Sequence, residues 1–415
     1  MLYREKSLPL CVTKSKKAIN AEWQLPRLTI MQPDFPDFDT YHIPELEEYI
    51  RQDEPSKRER AMLWRTAIGL QQVDGLRVSD YLIETARQHV EGDITIKKAK
   101  SLIDSYYQSE QARRHTETKD TQEADKVSQR ITELLSEKTF TFSPTQLVAI
   151  HRHLFYGLYK FAGKIRDYNI TKKEWVLRGD TVYYAGADMI RETLQYDFSQ
   201  EKEFDYSAIT LSQAIKHLAH FCSNIWQIHP FGEGNTRTTA VFMIKYLRTL
   251  GFTVTNDIFA ENSWYFRNAL VRANYTNVVQ GINYTPIFIE RFFRNMLLGE
   301  SSLLLNRELH LDWKATTVEK EQRTSPDIDQ SANQSAVQSA NQGNSLPSKC
   351  NNCTLEEVAI LRIIQQNPSA TQKQIAIQIG KSERTVKTLT IRLTSKGIIV
   401  RRNGKRNGYW EIIHD

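Results

Sequence analysis

Ten consecutive residues, Ile228-His229-Pro230-Phe231-Gly232-Glu233-Gly234-Asn235-Thr236-Arg237, gather side chains suited to chemistry on a phosphate. His229 exchanges a proton near neutral pH and is the candidate catalytic base. Glu233 offers the oxygen ligands that Mg²⁺ takes. Gly232 and Gly234 let the backbone approach oxygens closely, and Asn235 and Arg237 add donors for an oxyanion. An ordinary exposed turn explains any one of these residues alone; the combination points to a phosphate site.

Two helices must position this stretch. Upstream, Ala214, Ile215, Leu218, Phe221, Cys222, Ile225 and Trp226 recur at helical spacing. Downstream, Ala240, Val241, Ile244, Leu247 and Leu250 do the same, and Gly251 supplies a stop. The stretch is therefore a loop that feeds the second helix's N-terminus. Backbone N–H groups from Gly232 to Thr236 and the helix dipole favour an anion there.

These residues resemble the signature of the Fic family, HPFx(D/E)GNGRxxR. His229, Pro230, Phe231, Glu233, Gly234, Asn235 and Arg237 match it, whereas Thr236 replaces its third glycine and Ala240 its second arginine. The resemblance implies transfer of AMP from Mg·ATP to a Ser, Thr or Tyr hydroxyl of a target protein. His229 would be the base and Glu233 the Mg²⁺ ligand, with Gly232, Gly234, Asn235, Thr236 and Arg237 around the phosphates. The segment from Tyr159 to Arg166 is similar to the family's W-A-G-x-x-R, with Phe161 for the tryptophan. Residues 169–177 and 181–184 read as two short strands about Arg178-Gly179-Asp180. In the family such a hairpin is a flap that docks an extended target, here through Ile170, Thr171, Lys172, Lys173 and Glu174. Asn274, Tyr275 and Asn277 are candidates for an adenine pocket, or else core.

Many family members are restrained by a helix bearing (S/T)xxxE(G/N). The helical stretch in front of the core resembles such an antitoxin module, with Asp74-Gly75 at the acid–glycine pair and Leu70 where the hydroxyl belongs. Asp74 is thus the candidate inhibitory position. Its family partner is the second arginine, here Ala240, so no salt bridge is expected at Asp74.

The 415 residues carry a net charge of +6, with 40% apolar and 25% charged content, the range of a globular chain. No apolar run approaches a membrane helix, and Lys14, Lys16 and Lys17 precede no apolar stretch, so neither a span nor a signal peptide is expected. The compartment expected is the cytoplasm. Cys350 and Cys353 have CxxC spacing with no second pair and read as thiols in a linker, with a metal or redox role the alternative.

The fold expected is mainly α: a helical core with a short hairpin flap, plus a C-terminal winged helix. Residues 1–58 form an arm or extension, 59–115 the antitoxin-like module, 116–305 the catalytic core, 306–353 a flexible linker and 354–415 the winged helix. In the linker, residues 331–342 nearly repeat themselves and carry too little apolar surface to fold, and His115 to Lys126 reads as an exposed connection. In the last domain, Lys381, Arg384, Lys387, Arg392, Arg401, Arg402, Lys405 and Arg406 suit phosphates along a duplex. Of these, Arg384, Lys387, Arg392, Arg401 and Arg402 are the principal DNA candidates; a protein-docking winged helix is the alternative. Two rival functions stay open: a transferase using another phosphate donor, and a DNA-bound regulator that senses nucleotide. The oligomeric state is open, a dimer included.

Overall fold

Helix α1 (Pro44–Arg51) lays Leu46 and Tyr49 against α2 (Pro55–Gly69), and α2 is the wall between two cores. Ala61, Trp64 and Ile68 face the N-terminal core, while Leu63, Ala67 and Leu70 face the main one. Both sets recur at helical spacing, and a helix apolar on two faces is buried on both. The computed structural model describes residues 43–51, 54–109, 119–252, 254, 257–313, 350, 352–379, 381–404 and 408–413.

A 3-10 turn, Leu70–Asp74, follows α2 and ends at Gly75 in the left-handed region. Helix α3 (Asp80–Glu91) is capped by the Ser79 side chain, and α4 (Ile96–Gln108) by Thr95. Helix α5 (Lys119–Ser136) occupies much of the segment expected to be an exposed connection. Its polar sequence hides satisfied buried groups: Asp125, fully buried, accepts from the Ser79 N–H at 2.9 Å and the Tyr107 hydroxyl at 2.7 Å.

Helix α6 (Pro144–Phe155) starts as its sequence indicates, with Ser143 accepting from the Gln146 N–H and Pro144 in the first turn. Helices α7 (Ile190–Glu203), α8 (Leu211–Ile228), α9 (Asn235–Thr249), α10 (Asp257–Ala273) and α11 (Ile287–Leu298) complete the main helical body. Gly69 brings α2 so near α10 that a Cβ there would lie 2.4 Å from the Ala260 Cα. The N-terminal helices are therefore packed into the body.

The flap departs from expectation. Among the described residues its arms form no strand pair; Trp175–Leu177 is a 3-10 turn and Arg178 is left-handed. Val176, Leu177 and Val182 are buried, so the arms turn apolar side chains into the body instead of pairing with each other. The Glu174 N–H to Asp180 carbonyl bond, 2.9 Å, closes the loop.

The first residues of the expected linker, 306–313, are packed on the body. Asn306–Leu309 is a 3-10 turn with Leu309 buried, and the Leu311 N–H donates to the Val176 carbonyl at 3.0 Å. The repeat at 331–342 lies outside the described residues.

Helices α12 (Leu355–Gln366), α13 (Gln372–Ile379) and α14 (Glu383–Ser395), with β1 (Ile399–Arg402) antiparallel to β2 (Tyr409–Ile412), form the winged helix. It does not hang free. Cys350 and Cys353 are buried in the main core, the Leu211 N–H donates to the Cys353 carbonyl at 2.5 Å, and Arg362 donates to the Gly251 carbonyl at 2.6 Å. The two thiols are thus part of a docked seam. Among the described residues no helix is long and apolar enough to cross a membrane.

Candidate active site

Helix α8 starts with a reciprocal Thr210–Gln213 cap and ends on His229, which takes the left-handed conformation at φ 51°. A non-glycine residue rarely sits there, and the turn throws the imidazole back over the helix end. The ring lies 4.2 Å from the Tyr184 ring and is 2% exposed. Its Nδ1 is 3.2 Å from the Trp226 carbonyl, which can only accept, so Nδ1 carries the proton. Nε2 is then a bare lone pair, buried and without a hydrogen-bond partner. Burial, then the charge of Lys172, holds the imidazole well below its usual basicity, so it is neutral at pH 7.

The loop after His229 is clamped from three sides. Arg166 donates to the His229 carbonyl at 2.8 Å and the Tyr168 carbonyl at 2.6 Å, and its own N–H holds the Pro230 carbonyl at 2.9 Å. His151 stacks on Phe231 at 3.7 Å and accepts the Gly163 N–H at Nδ1, so its Nε2–H donates to the Glu233 carbonyl at 3.0 Å. Burial lowers His151 to about 4, which keeps this tautomer neutral. Phe231 is an anchor in the core, 1% exposed. Gly234 has φ 79°, and a Cβ there would stand 2.3 Å from the Phe155 ring, so only glycine fits.

The candidate phosphate residues divide into two groups. Gly232 and Gly234 lie on the loop; the Gly234 N–H donates to the Glu233 carboxylate at 3.0 Å, and the N–H groups of the first turn of α9 carry no cap from the Gly234 position and suit an anion. Asn235, by contrast, spends its amide on the loop: Oδ1 accepts from the Phe231 N–H at 3.0 Å and Nδ2 donates to the Phe231 carbonyl at 2.8 Å. The Thr236 hydroxyl accepts from the Trp226 indole at 3.0 Å. Arg237, 0% exposed, points away to the N-terminal module. It meets Asp74 at 2.8 Å, Glu123 at 2.7 Å and Gln71 at 3.0 Å, over the Phe155 ring. Burial opposes its charge, but the two carboxylates hold the guanidinium protonated. Asn235 is therefore a brace here, and Arg237 braces through its two terminal nitrogens while its buried Nε–H has no partner. The Asp74 salt bridge, not expected with Ala240 in the motif, exists through Arg237; Ala240 itself is buried.

Glu233 receives the Lys172 ammonium at 3.0 and 3.1 Å, one bond to each oxygen. Along the flap, Thr171 and Lys173 are exposed while Lys172 and Glu174 turn inward, the alternation of extended chain, with Ile170 half-buried. Glu174 is 1% exposed and paired with Arg267 at 2.6 and 3.1 Å, so its side chain cannot meet a target. Tyr275 pins the flap through Asp180 at 2.7 Å, and Asn277 bonds the Tyr275 hydroxyl. Asn274 binds Ser223 on α8. His151, Arg267 and Glu123 had no local sequence signal; each acts through residues distant in the chain.

In the winged helix, Arg384 and Lys387 are exposed on α14, and among the described residues no ion pair holds them. Arg392 leans toward Glu357 at 3.8 Å, Arg401 stacks on Trp410 at 4.7 Å, and Arg402 pairs with Glu411 at 2.5 Å. Lys381 pairs with Glu356 at 2.6 Å, and Lys405 and Arg406 lie outside the described residues.

Comparison with known proteins follows the same division. Residues 141–247 match the Fic/DOC family, and residues 357–400 match a winged helix-turn-helix DNA-binding family. A probable protein adenylyltransferase, y4lH, of Sinorhizobium fredii (strain NBRC 101917 / NGR234) is 29% identical over 127 residues, 30% of this chain and 62% of that protein. The chain thus spans under two thirds of that relative's length. A crystal structure of a Fic family protein from Desulfovibrio desulfuricans G20 aligns with a TM-score of 0.40 at 13% identity, covering 90% of this chain and 94% of that one. The loop closed by His229 and the N-terminus of α9 lies inside the first match: residues 141–247 are a Fic/DOC family domain, in a chain that also carries a winged helix-turn-helix.

Proposed function

We propose that this chain is a protein adenylyltransferase that moves AMP from ATP to a Ser, Thr or Tyr hydroxyl of a target protein. The observation that carries the reading is the His229 Nε2, a buried lone pair with no partner beside the uncapped N-terminus of α9. A buried polar atom left unsatisfied costs stability and points to a working role. Nε2 takes the hydroxyl proton as the oxygen attacks the α-phosphorus, and pyrophosphate leaves. Nδ1–H on the Trp226 carbonyl keeps the imidazole in the tautomer this requires and shares the positive charge that forms. The α9 N-terminus meets charge on the transferred group.

Glu233 fits Mg²⁺, which is commonly held by one or two carboxylates plus phosphates and water. Its carboxylate already holds a cation, Lys172, at both oxygens. Bound there, Mg²⁺ would neutralise phosphate charge. Among the described residues no group of three or more His, Cys, Asp or Glu is placed to hold a metal, so the other ligands would come from nucleotide and water. The exposed Thr171 and Lys173 mark the flap edge along which an extended target would lie.

The winged helix extends the proposal. Arg384 and Lys387, exposed on α14, support duplex binding through that helix.

The test is intact-mass measurement after incubation with ATP and Mg²⁺, on the protein itself and on host-lysate proteins. The wild type should add the mass of AMP, and His229→Ala should lower the rate by about 10²–10⁴. A different added mass would support the rival donor, and equal rates in the two proteins would remove His229 as the base.

A further inference from the structure

The cations around the loop differ in how firmly they are held. Arg237 is committed to Asp74, Glu123 and Gln71, and Arg267 to Glu174. Arg166 spends its guanidinium on backbone carbonyls. Lys172 is different. It meets a single partner, Glu233, and that partner is the carboxylate suited to a divalent ion. Its side chain is 27% exposed, and a lysine has a long flexible stem with three donors. Its ammonium is held at the loop itself, 3.0 and 3.1 Å from the two oxygens of Glu233, four residues after His229.

A nucleoside triphosphate brings several negative charges to this loop. Arg237 and Arg267 are neutralised by carboxylates, Arg166 is tied to backbone carbonyls, and position 240, in the second turn of α9, is a buried alanine. The geometry points to Lys172 as a nucleotide-positioning residue that Glu233 holds in reserve and that turns to the phosphates once a divalent ion takes the carboxylate. Two cations cannot share one carboxylate at close range without repulsion. Lys172 therefore leaves Glu233 when the ion binds, and phosphate is the nearest anion for it to meet. This inference rests on the nucleotidyl-transfer reading and adds a residue that the motif does not contain.

The experiment measures ATP binding calorimetrically in full-length protein carrying His229→Ala, which prevents turnover. It is run with saturating Mg²⁺ and with EDTA. Mn²⁺ binding without nucleotide is followed by electron paramagnetic resonance. Adding Lys172→Ala should weaken ATP binding in Mg²⁺ on the order of tenfold, the scale of a charge-assisted hydrogen bond. The same change should tighten Mn²⁺ binding severalfold, because a competing cation is gone. Lys172→Arg should keep ATP affinity within about threefold, since either cation can meet a phosphate. If ATP affinity in Mg²⁺ is unchanged by Lys172→Ala, Lys172 only props Glu233 and the inference fails. If the protein with Lys172 intact binds no ATP at all, the transferase reading itself fails.

Discussion

The two ends of the signature loop are built differently. At the His229–Glu233 end, the groups face the flap: one imidazole nitrogen is unpartnered beside the Tyr184 ring, and one carboxylate holds a half-buried lysine. At the Asn235–Arg237 end, the polar side-chain atoms other than the Arg237 Nε are consumed by the fold, by the Phe231 backbone, the Trp226 indole, Gln71 and the Asp74 and Glu123 carboxylates. One motif thus combines a part with a buried lone pair and a partly exposed ion pair with a part that ties the helical body to the helices in front of it. Residue type alone does not separate the two; an arginine after a glycine-rich loop suits a phosphate and a buried ion pair equally well.

Arg237→Ala should sharpen this contrast most. It removes a fully buried guanidinium and its bonds to the exposed Asp74 and the half-buried Glu123, and should cost about 1.5–3 kcal/mol of stability. Chemical denaturation measures it; a loss under about 1 kcal/mol would mean that the brace carries little. Asp74→Ala should cost only about 1 kcal/mol, because Glu123 and Gln71 still hold Arg237. A large gain in AMP transfer from that single change would show that the pair restrains the site. At the other end, His229→Ala removes an atom with no partner at Nε2, and its stability should change less than that of Arg237→Ala.

The winged helix offers a smaller test of the same distinction between committed and free cations. Arg384→Ala with Lys387→Ala should reduce the slope of log K against log salt for duplex DNA, by about 0.9 for each phosphate that is no longer neutralised. Arg402→Ala should change the slope less, because Glu411 already holds that guanidinium. Gel shifts of the full chain across salt read this. No binding at about 50 mM salt would favour a protein-docking role.

How much of this was legible follows from the range of the interactions. The helix stop at Gly251 is local and is adopted as read, and the ends at Gly75 and Gly92 and the caps at Ser143 and Ser382 are local in the same way. The position of His229 at a helix end, before the α9 N-terminus, is equally local. The flap misled because alternation cannot tell pairing arms from arms whose Val176, Leu177 and Val182 sink into the body. The pairs Lys172–Glu233, Arg237–Asp74 and Arg267–Glu174 join residues from different elements, and no spacing rule reports them. The docked seam at Cys350 and Cys353 was hidden for the same reason: buried thiols and linker thiols look alike in one dimension.

The central claim, that His229 acts as a neutral buried base, is tested most directly by the pH dependence of kcat/KM for ATP-dependent modification, which reports the free enzyme. A histidine whose basicity is depressed by burial stays unprotonated as pH falls through the ordinary value of 6.5 and protonates only well below it. The rate should therefore be flat from neutral pH through 6.5 and decline only at markedly lower pH. A decline centred near 6.5 or above, or an unchanged profile in His229→Ala, would contradict the account.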